Sequence, residues 1–562
     1  MATRMLIVNN GLMDLRGHYF ETSVSTAEAA DRAKLDTVLV GHVSCPPEII
    51  PNWLEFLPLC RTDHWMAGPP AAGYPASGLR CDLAAQGWAT MENVLAGKVD
   101  LRDYLAARFE PPAPTAAPAP AAAETPPPRP PLRARVKHRL KSITPPLLWA
   151  AARRAYRFRH TVVAAVKAVV PPFLYHRTRT VIRRALGRDP RPLPAPTEAP
   201  TLPANVAALP KDPALARLER AGFGHEHGNI DLYQQDLEAV LALVGLGPTD
   251  HVFLPTAHAR ELIAIRRIVD QYGTDRSPTF HLEFRHALDY DEADLRPLNP
   301  YTAVHLALFD LYRSLGHSQR VRVYTDTEEL TEAYIAATGL PFETLPIPFR
   351  TDRIAPRNRR PGDPLRLTFL GDARDEKGFH WIPDLIDGLR HEAEAGRVTF
   401  ALQASLLAPQ YNPESVPAMA RIRALADEPY LELHGLDAPL TPEQYFDLLS
   451  QADVMLCPYS PENYKRRSSG TLTEALAAGI PTVVPADTWL ERQQPPGTGE
   501  SFTDRESFVE AVRKVVTGYM CYHHRAQVYR DRWLSVHTPD NLVRVLLGRP
   551  ATAAVGALQD VA

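Results

Sequence analysis

The sequence predicts an α/β protein made of two doubly wound domains in tandem, the first of them interrupted by a long insertion. Three observations carry that expectation. Short apolar runs alternate with stretches of helical periodicity at both ends of the chain. A Pro/Ala-rich tract separates the first two strand candidates from the remainder of their domain. A breaker-rich segment, TDRIAPRNRRPGDP over 351–364, divides two such series of alternations.

The 562 residues exceed what one hydrophobic core carries. An apolar fraction of 45% and a charged fraction of 23% fit a soluble globular chain, whereas 55 prolines predict that part of it does not fold. The formal charge of -3 gives no global argument for nucleic acid, and no specific nucleic-acid partner is expected. Cys45, Cys60, Cys81, Cys457 and Cys521 form no C-x-x-C pair, which points to a reducing, cytoplasmic setting. The apolar run at 5–10 is too brief for a signal peptide and no membrane-spanning run follows, so peripheral attachment is the membrane role left open.

In the first domain MLIVNN (5–10) predicts a strand leading into a polar turn that contains Gly11 and Gly17. A helix over 26–32 and a second buried strand, TVLVGH over 37–42, follow, after which the pattern becomes irregular. Between 111 and 131 nearly every residue is Pro, Ala, Thr or Glu, a composition suited to an extended linker. Basic helical segments over 132–187 and a second proline-rich tract, RPLPAPTEAPTLP, close the insertion. The rhythm resumes with a helix over 233–246, a strand over 250–255, a helix over 260–272 and a strand at PTFHLEF. A helix over 302–315, the strand VRVYT and a helix over 328–338 complete it. The expected organisation is therefore 1–60 and 206–355 for the split first domain, 61–205 for the insertion, 356–545 for the second domain and 546–562 for a flexible tail.

The second domain rests on five strand candidates, LRLTFL, VTFALQA, LELHGL, ADVMLC and PTVVPA, separated by helices over 379–391, 414–426, 442–451 and 470–478. Short apolar runs alternating with helices specify a parallel sheet. Two such domains offer a crevice at the carboxyl ends of their strands.

The residues with chemistry gather in two stretches. In FLGDARDEKGF a buried strand ends in a polar loop that carries Lys377, whose ammonium could neutralise a diphosphate as a leaving-group charge grows. In LCPYSPENYKRRSSGTLTEALAAGIPTVVPA, Ser468, Ser469 and Gly470 precede a helix whose unpaired N–H groups and dipole favour an anion. Arg466 or Arg467 can add guanidinium donors. Glu462 lies at the crevice edge, and Glu474, one turn into the helix, could bind ribose hydroxyls or simply stabilise the helix terminus as an early acid.

Gly371, Lys377 and Gly378, then Pro458, Glu462, Glu474, Ala475, Gly479 and Pro481, resemble the signatures of the nucleotide-binding half of GT-B glycosyltransferases, in particular the retaining family 4. The resemblance covers almost all of 365–539 and implies a GT-B-like fold, two Rossmann-like domains, with a nucleotide-sugar donor such as a UDP- or GDP-sugar. It also implies a hydroxyl acceptor on a glycan or lipid carrier, and front-face transfer with retention. Two departures stand out. The arginine of the first signature is Asp372 here, so Arg374, Arg466 or Arg467 would supply the charge. Glu462 and Glu474 are twelve apart where the pattern has eight between its acids; counting from Pro458 puts Glu462 in register, and counting back from Glu474 puts Arg466 there.

In the resembling fold the first domain binds acceptor. Gly17 could let backbone approach phosphate. His258, after the strand at 250–255, fits a hydrogen-bonding or positioning role near the transferred sugar, and Arg285 and His286 can face the same crevice. Lys377 and Glu462 join His258 as the residues expected at the reacting centre. No His, Cys, Asp or Glu cluster has metal-ligand spacing, so neither a metal nor a cofactor beyond the donor is expected.

From 129 to 188 there are sixteen Arg or Lys and no Asp or Glu. Interleaved with aromatic and aliphatic groups, the stretch 132–187 can lie on an anionic membrane surface, pack on protein, or hold another polyanion. Two other functions share the architecture: a nucleotide-sugar epimerase or hydrolase, and a catalytically silent nucleotide-binding or membrane-associated interaction protein.

Overall fold

The computed structural model describes residues 3–62, 227–406, 409–436 and 440–550, apart from 14, 16, 292–294, 299, 315–319, 355–358 and 361, and also Lys98. Two compact units divide the chain, Met1–Met91 with Pro200–Ala562, and Glu92–Ala199. Of the second unit the described residue is Lys98, which is exposed. The linker, the segment 132–187 expected to form basic helices and, of the tail expected over 546–562, the residues from 551 lie outside the described residues, while Leu546 is buried as the last residue of the C-terminal helix Pro539–Leu546.

The first sheet contains β1 (Arg4–Val8), β2 (Asp36–His42), β3 (Glu55–Cys60), β4 (His251–Leu254), β5 (Thr279–Glu283), β6 (Val321–Thr325) and β7 (Glu343–Thr344). They run in the order β3-β2-β1-β4-β5-β6-β7. All pairings are parallel, and β1 pairs with both β2 and β4, so chain from either side of the insertion shares one sheet. The helices are α1 (Gly17–Arg32), α2 (His227–Val244), α3 (Ala259–Tyr272), α4 (Pro300–Ser314) and α5 (Glu328–Thr338).

The helix predicted over 26–32 begins at Gly17, inside the segment expected to be a turn. Phe20, Val24 and Ala27, spaced as one helical face, are buried and draw the intervening polar residues into the helix. Sequence reading also missed β3, because Pro58 interrupts its apolar run. As the outermost strand it pairs with β2 alone, a position in which a proline is tolerated.

At the carboxyl end of β3, Arg61 ties this edge to α2. Its backbone N–H and Nε donate to the two Asp236 oxygens, each at 2.8 Å, and both side chains are almost fully buried. The pair closes the sheet where the insertion leaves it.

The second sheet has β8 (Leu365–Phe369), β9 (Val398–Gln403), β10 (Leu431–His434), β11 (Val454–Leu456), β12 (Thr482–Pro485) and β13 (Gly499–Phe502), in the order β10-β9-β8-β11-β12-β13. Around it lie α6 (Ile382–Gly388), α7 (Arg390–Glu394), α8 (Ser415–Arg423), α9 (Pro442–Gln451), α10 (Pro461–Tyr464) and α11 (Gly470–Ala478). Then come α12 (Trp489–Arg492), α13 (Arg505–Thr517), α14 (Tyr519–Val536) and α15 (Pro539–Leu546). The period-two alternation of the strands sorts two cores. Leu365, Leu367, Phe369, Val454 and Leu456 face one, and Met455 and Cys457 face the other with Trp489 and Trp533. The sixth strand, β13, escaped the sequence reading because GESF is polar and starts with glycine.

Both sheets thus follow the doubly wound strand order and reverse direction of progress between β1 and β4 and between β8 and β11. Such switch points place crevices beyond the strands' carboxyl ends. The chain crosses between the sheets twice. On the way out the Ile347 N–H donates to Nδ1 of His537 at 3.1 Å. Burial pushes the His537 imidazole down to about 3, so it stays neutral and can accept, stacked 3.9 Å from the Trp533 ring. After His537, α15 returns to the first domain, where Arg32 of α1 holds Asp540 through two bonds of 2.9 and 3.0 Å. No helix among the described residues is long and apolar enough to cross a membrane.

Candidate functional site

At the switch point of the second sheet the loops after β8 and β11 interlock. Gly378 adopts φ +68°, and a Cβ there would collide with the Pro458 carbonyl. Gly371 adopts φ +107°, and its Cβ would occupy the place of Lys377 Nζ. The two glycines of the first motif are therefore required on physical grounds. One permits the close approach of the loops, and the other leaves room for the lysine. The turn Asp375–Lys377 is held by Asp375, whose carboxylate accepts from Ser415 N at 2.8 Å, Ser415 Oγ at 2.6 Å and Glu414 N at 3.1 Å at the start of α8.

Lys377 reaches back beneath this loop with its Nζ 5.8 Å from the centre of the Tyr459 ring. Burial first, and the Arg374 charge second, bring its ammonium down to about 8. Glu474, on α11, is half-buried and accepts from Tyr445 Oη of α9. Burial raises its carboxyl to about 7, against the opposing pull of Tyr445 and of Lys377. The Lys377 charge thus acts on the Glu474 carboxyl. From the first domain Glu21 of α1 adds to that field, itself paired with Arg353 at 3.0 Å.

The helix between them starts as an anion site should. Ser469 Oγ caps α11 by accepting from Leu472 N at 3.3 Å, which leaves the N–H groups of Gly470 and Thr471 without partners among the described residues. Arg467 sits 3.8 Å from Glu376, and the same carboxylate holds Arg374 at 2.7 Å. Arg466 lies over the Tyr290 ring of the first domain at 5.9 Å. The Ser468 hydroxyl donates across the cleft to Asp326.

Solved structures that resemble this fold include sucrose-phosphate synthase from Thermosynechococcus elongatus, at 14% identity and a TM-score of 0.43, covering 57% of this chain and 77% of that one. UDP-forming α,α-trehalose-phosphate synthase from Burkholderia xenovorans is similar at 14% identity and 0.43, covering 59% and 80%. Anabaena HepE in complex with UDP and glucose is similar at 15% identity and 0.41, covering 57% and 82%. No protein-family model matches the chain, and no curated protein does. These likenesses leave the function to the chemistry of the site.

Not every expected residue joins the group. Glu462, on the short α10, is exposed and accepts from Ser460 Oγ at 2.8 Å; its own backbone N–H first, and the Ser460 hydroxyl second, lower its carboxyl from the usual range. Gly17 forms the first residue of α1, at the switch point of the first sheet. There His258 is the N-cap of α3, and its backbone N–H donates to Glu261 at 3.0 Å. The same Glu261 carboxylate accepts from Asn10 in the loop after β1 at 3.1 Å and from Arg260 at 2.6 Å. The His258 ring stacks on His286, 4.7 Å between centroids. Burial, then the charges of His258, Arg467 and Arg285, bring His286 down to about 3, so it is neutral near pH 7. Arg285 is held by Asp326 at 2.8 Å, with Glu283 at 3.9 Å.

Sequence reasoning missed Asp326, Glu261 and Tyr445. Asp326 reads as part of an ordinary helix start in TDTEE, and Tyr445 as a core aromatic of α9. Only Glu261, three residues after His258, carried a readable capping signal. Among the described residues no group of three or more His, Cys, Asp or Glu could hold a metal ion. A shallow recess beside Leu365 and Tyr519 lies at the opposite end of the second sheet's strands.

Proposed function

We propose that this chain is a GT-B glycosyltransferase that moves a sugar from a nucleoside diphosphate donor to an acceptor hydroxyl, with retention and without a metal, as in family 4. The supporting observation is that the Lys377 loop packs against the loop after β11 at the switch point of the second sheet, with the Lys377 charge acting on Glu474 of α11. Lys377, Arg466, Arg467 and the turn Ser468, Ser469, Gly470 take the diphosphate, and fixed cations and amides stabilise its growing charge. Glu474 takes the ribose. His258, at the mouth of the first sheet's crevice, hydrogen-bonds the transferred sugar. Gly17 lets the first domain close near the phosphates, and Glu462, exposed at the rim, meets the donor only once the site is filled.

The decisive measurement is a panel of UDP-, GDP- and other activated sugars with added hydroxyl acceptors. Transfer that requires the acceptor supports the proposal. Acceptor-independent epimerisation favours the epimerase, and saturable nucleotide binding without turnover favours the silent binding protein. The basic composition of 132–187 supports recruitment to an anionic membrane at the cytoplasmic face, where a lipid-linked acceptor would lie. Sedimentation with anionic vesicles tests this, and binding unchanged by deletion of 132–187 removes the segment from that role.

A further inference from the structure

The anion-binding turn does not belong to the second domain alone. Three contacts from the start of α5 in the first domain grip it. Asp326 accepts from Ser468 Oγ, Thr327 Oγ1 donates to the Arg466 carbonyl at 2.7 Å, and Glu329 pairs with Arg492, which also donates to the Lys465 carbonyl. Asp326 is itself fixed: it is almost fully buried, and Arg285 donates to the same carboxylate oxygen that accepts from Ser468. Its other oxygen is buried with no hydrogen-bond partner. A buried acceptor left in that state is costly, a cost that pairing with Arg285 alone does not explain.

We propose that Asp326 is a positioning residue for the donor site, acting through Ser468. It holds the 466–469 backbone, with Thr327, in the conformation that turns the N–H groups of Gly470 and Thr471 toward the bound anion. The inference rests on the assignment of that turn to a nucleoside diphosphate. It adds that the turn is shaped by the acceptor-side domain, so opening the cleft at this point degrades the diphosphate site. Ser468 serves the diphosphate through the backbone of the turn, which its hydroxyl holds by donating to Asp326.

The test is a double-mutant cycle on the full chain, read as the dissociation constants of UDP and GDP for D326N, S468A and the double variant. Each single change should weaken binding by about 10-fold. If Asp326 works through Ser468, the double variant binds no more weakly than the weaker single one, and S468T restores affinity to within about 2-fold. Multiplicative losses, or D326N binding as tightly as the unaltered chain, overturn the proposal. An unaltered chain that binds no nucleoside diphosphate, with ADP and dTDP tried beside UDP and GDP, overturns the glycosyltransferase assignment first and this inference with it. Should D326N fail to fold, S468A decides by hydrogen exchange. Faster exchange in both 465–470 and 325–330 supports the contact, and a change confined to the turn overturns it.

Discussion

The two sheets share one strand order, yet the crevices beyond them are electrostatically unlike. In the first domain the guanidiniums near the crevice have carboxylate partners: Arg260 with Glu261, Arg285 with Asp326, Arg61 with Asp236. In the second, Lys377 has no carboxylate within ion-pair distance among the described residues, and Arg374 and Arg467 share the single acid Glu376. Topology fixes where a crevice opens. What a crevice can bind depends on whether its loops neutralise themselves, and among the described residues the second leaves cationic groups in excess of their carboxylate partners.

That contrast breaks most sharply at the first domain's paired charges. Asp236→Ala strands a buried Arg61 and should cost about 3–5 kcal/mol of stability. Urea unfolding measures the loss, while nucleotide affinity of the folded fraction should be unchanged. Lys377→Ala is the opposite case. At pH 7 it should not lower the unfolding midpoint, because it removes a buried charge, and it should weaken UDP or GDP binding by about 10- to 100-fold. If the two variants show the same profile, the division into a structural and a ligand-directed charge set is wrong.

How far each half could be read from sequence follows the same line. The second domain's strands are short apolar runs cut by clear breakers, and five of its six were legible; β13 was not, because an edge strand of four residues needs little apolar character. Lys377 and Glu474 were legible because glycines and a helix start fix their surroundings locally. Asp326 was not, because its role depends on Ser468, 142 residues away. For Glu462, register from Pro458 puts it in line with the pattern, and the structure places it at the surface on α10.

A smaller effect sharpens the comparison at the first domain's mouth. His258 is held by its backbone bond to Glu261, so His258→Ala should leave α3 folded, with Glu261 still bound to Arg260 and Asn10. Transfer should fall by about 10-fold or more with nucleotide affinity changed less than 2-fold. Loss of affinity in proportion to rate would place His258 in donor binding.

The last comparison lies within the second site, where two buried groups should give stability slopes of opposite sign. Lys377 is brought down to about 8 by burial and Arg374, while an unfolded lysine titrates near about 10.4. Between those values the unfolded chain holds more protons, so stability rises with pH. Glu474 is raised to about 7 by burial, against about 4.3 unfolded. Between those values the folded chain holds more protons, so stability falls as pH rises. The urea-midpoint difference from Lys377→Met should therefore change with pH only on the alkaline side, and that from Glu474→Gln only on the acid side. A bound diphosphate favours the charged lysine and should flatten the alkaline slope. If UDP leaves that slope unchanged while binding tightly, its phosphates do not meet Lys377.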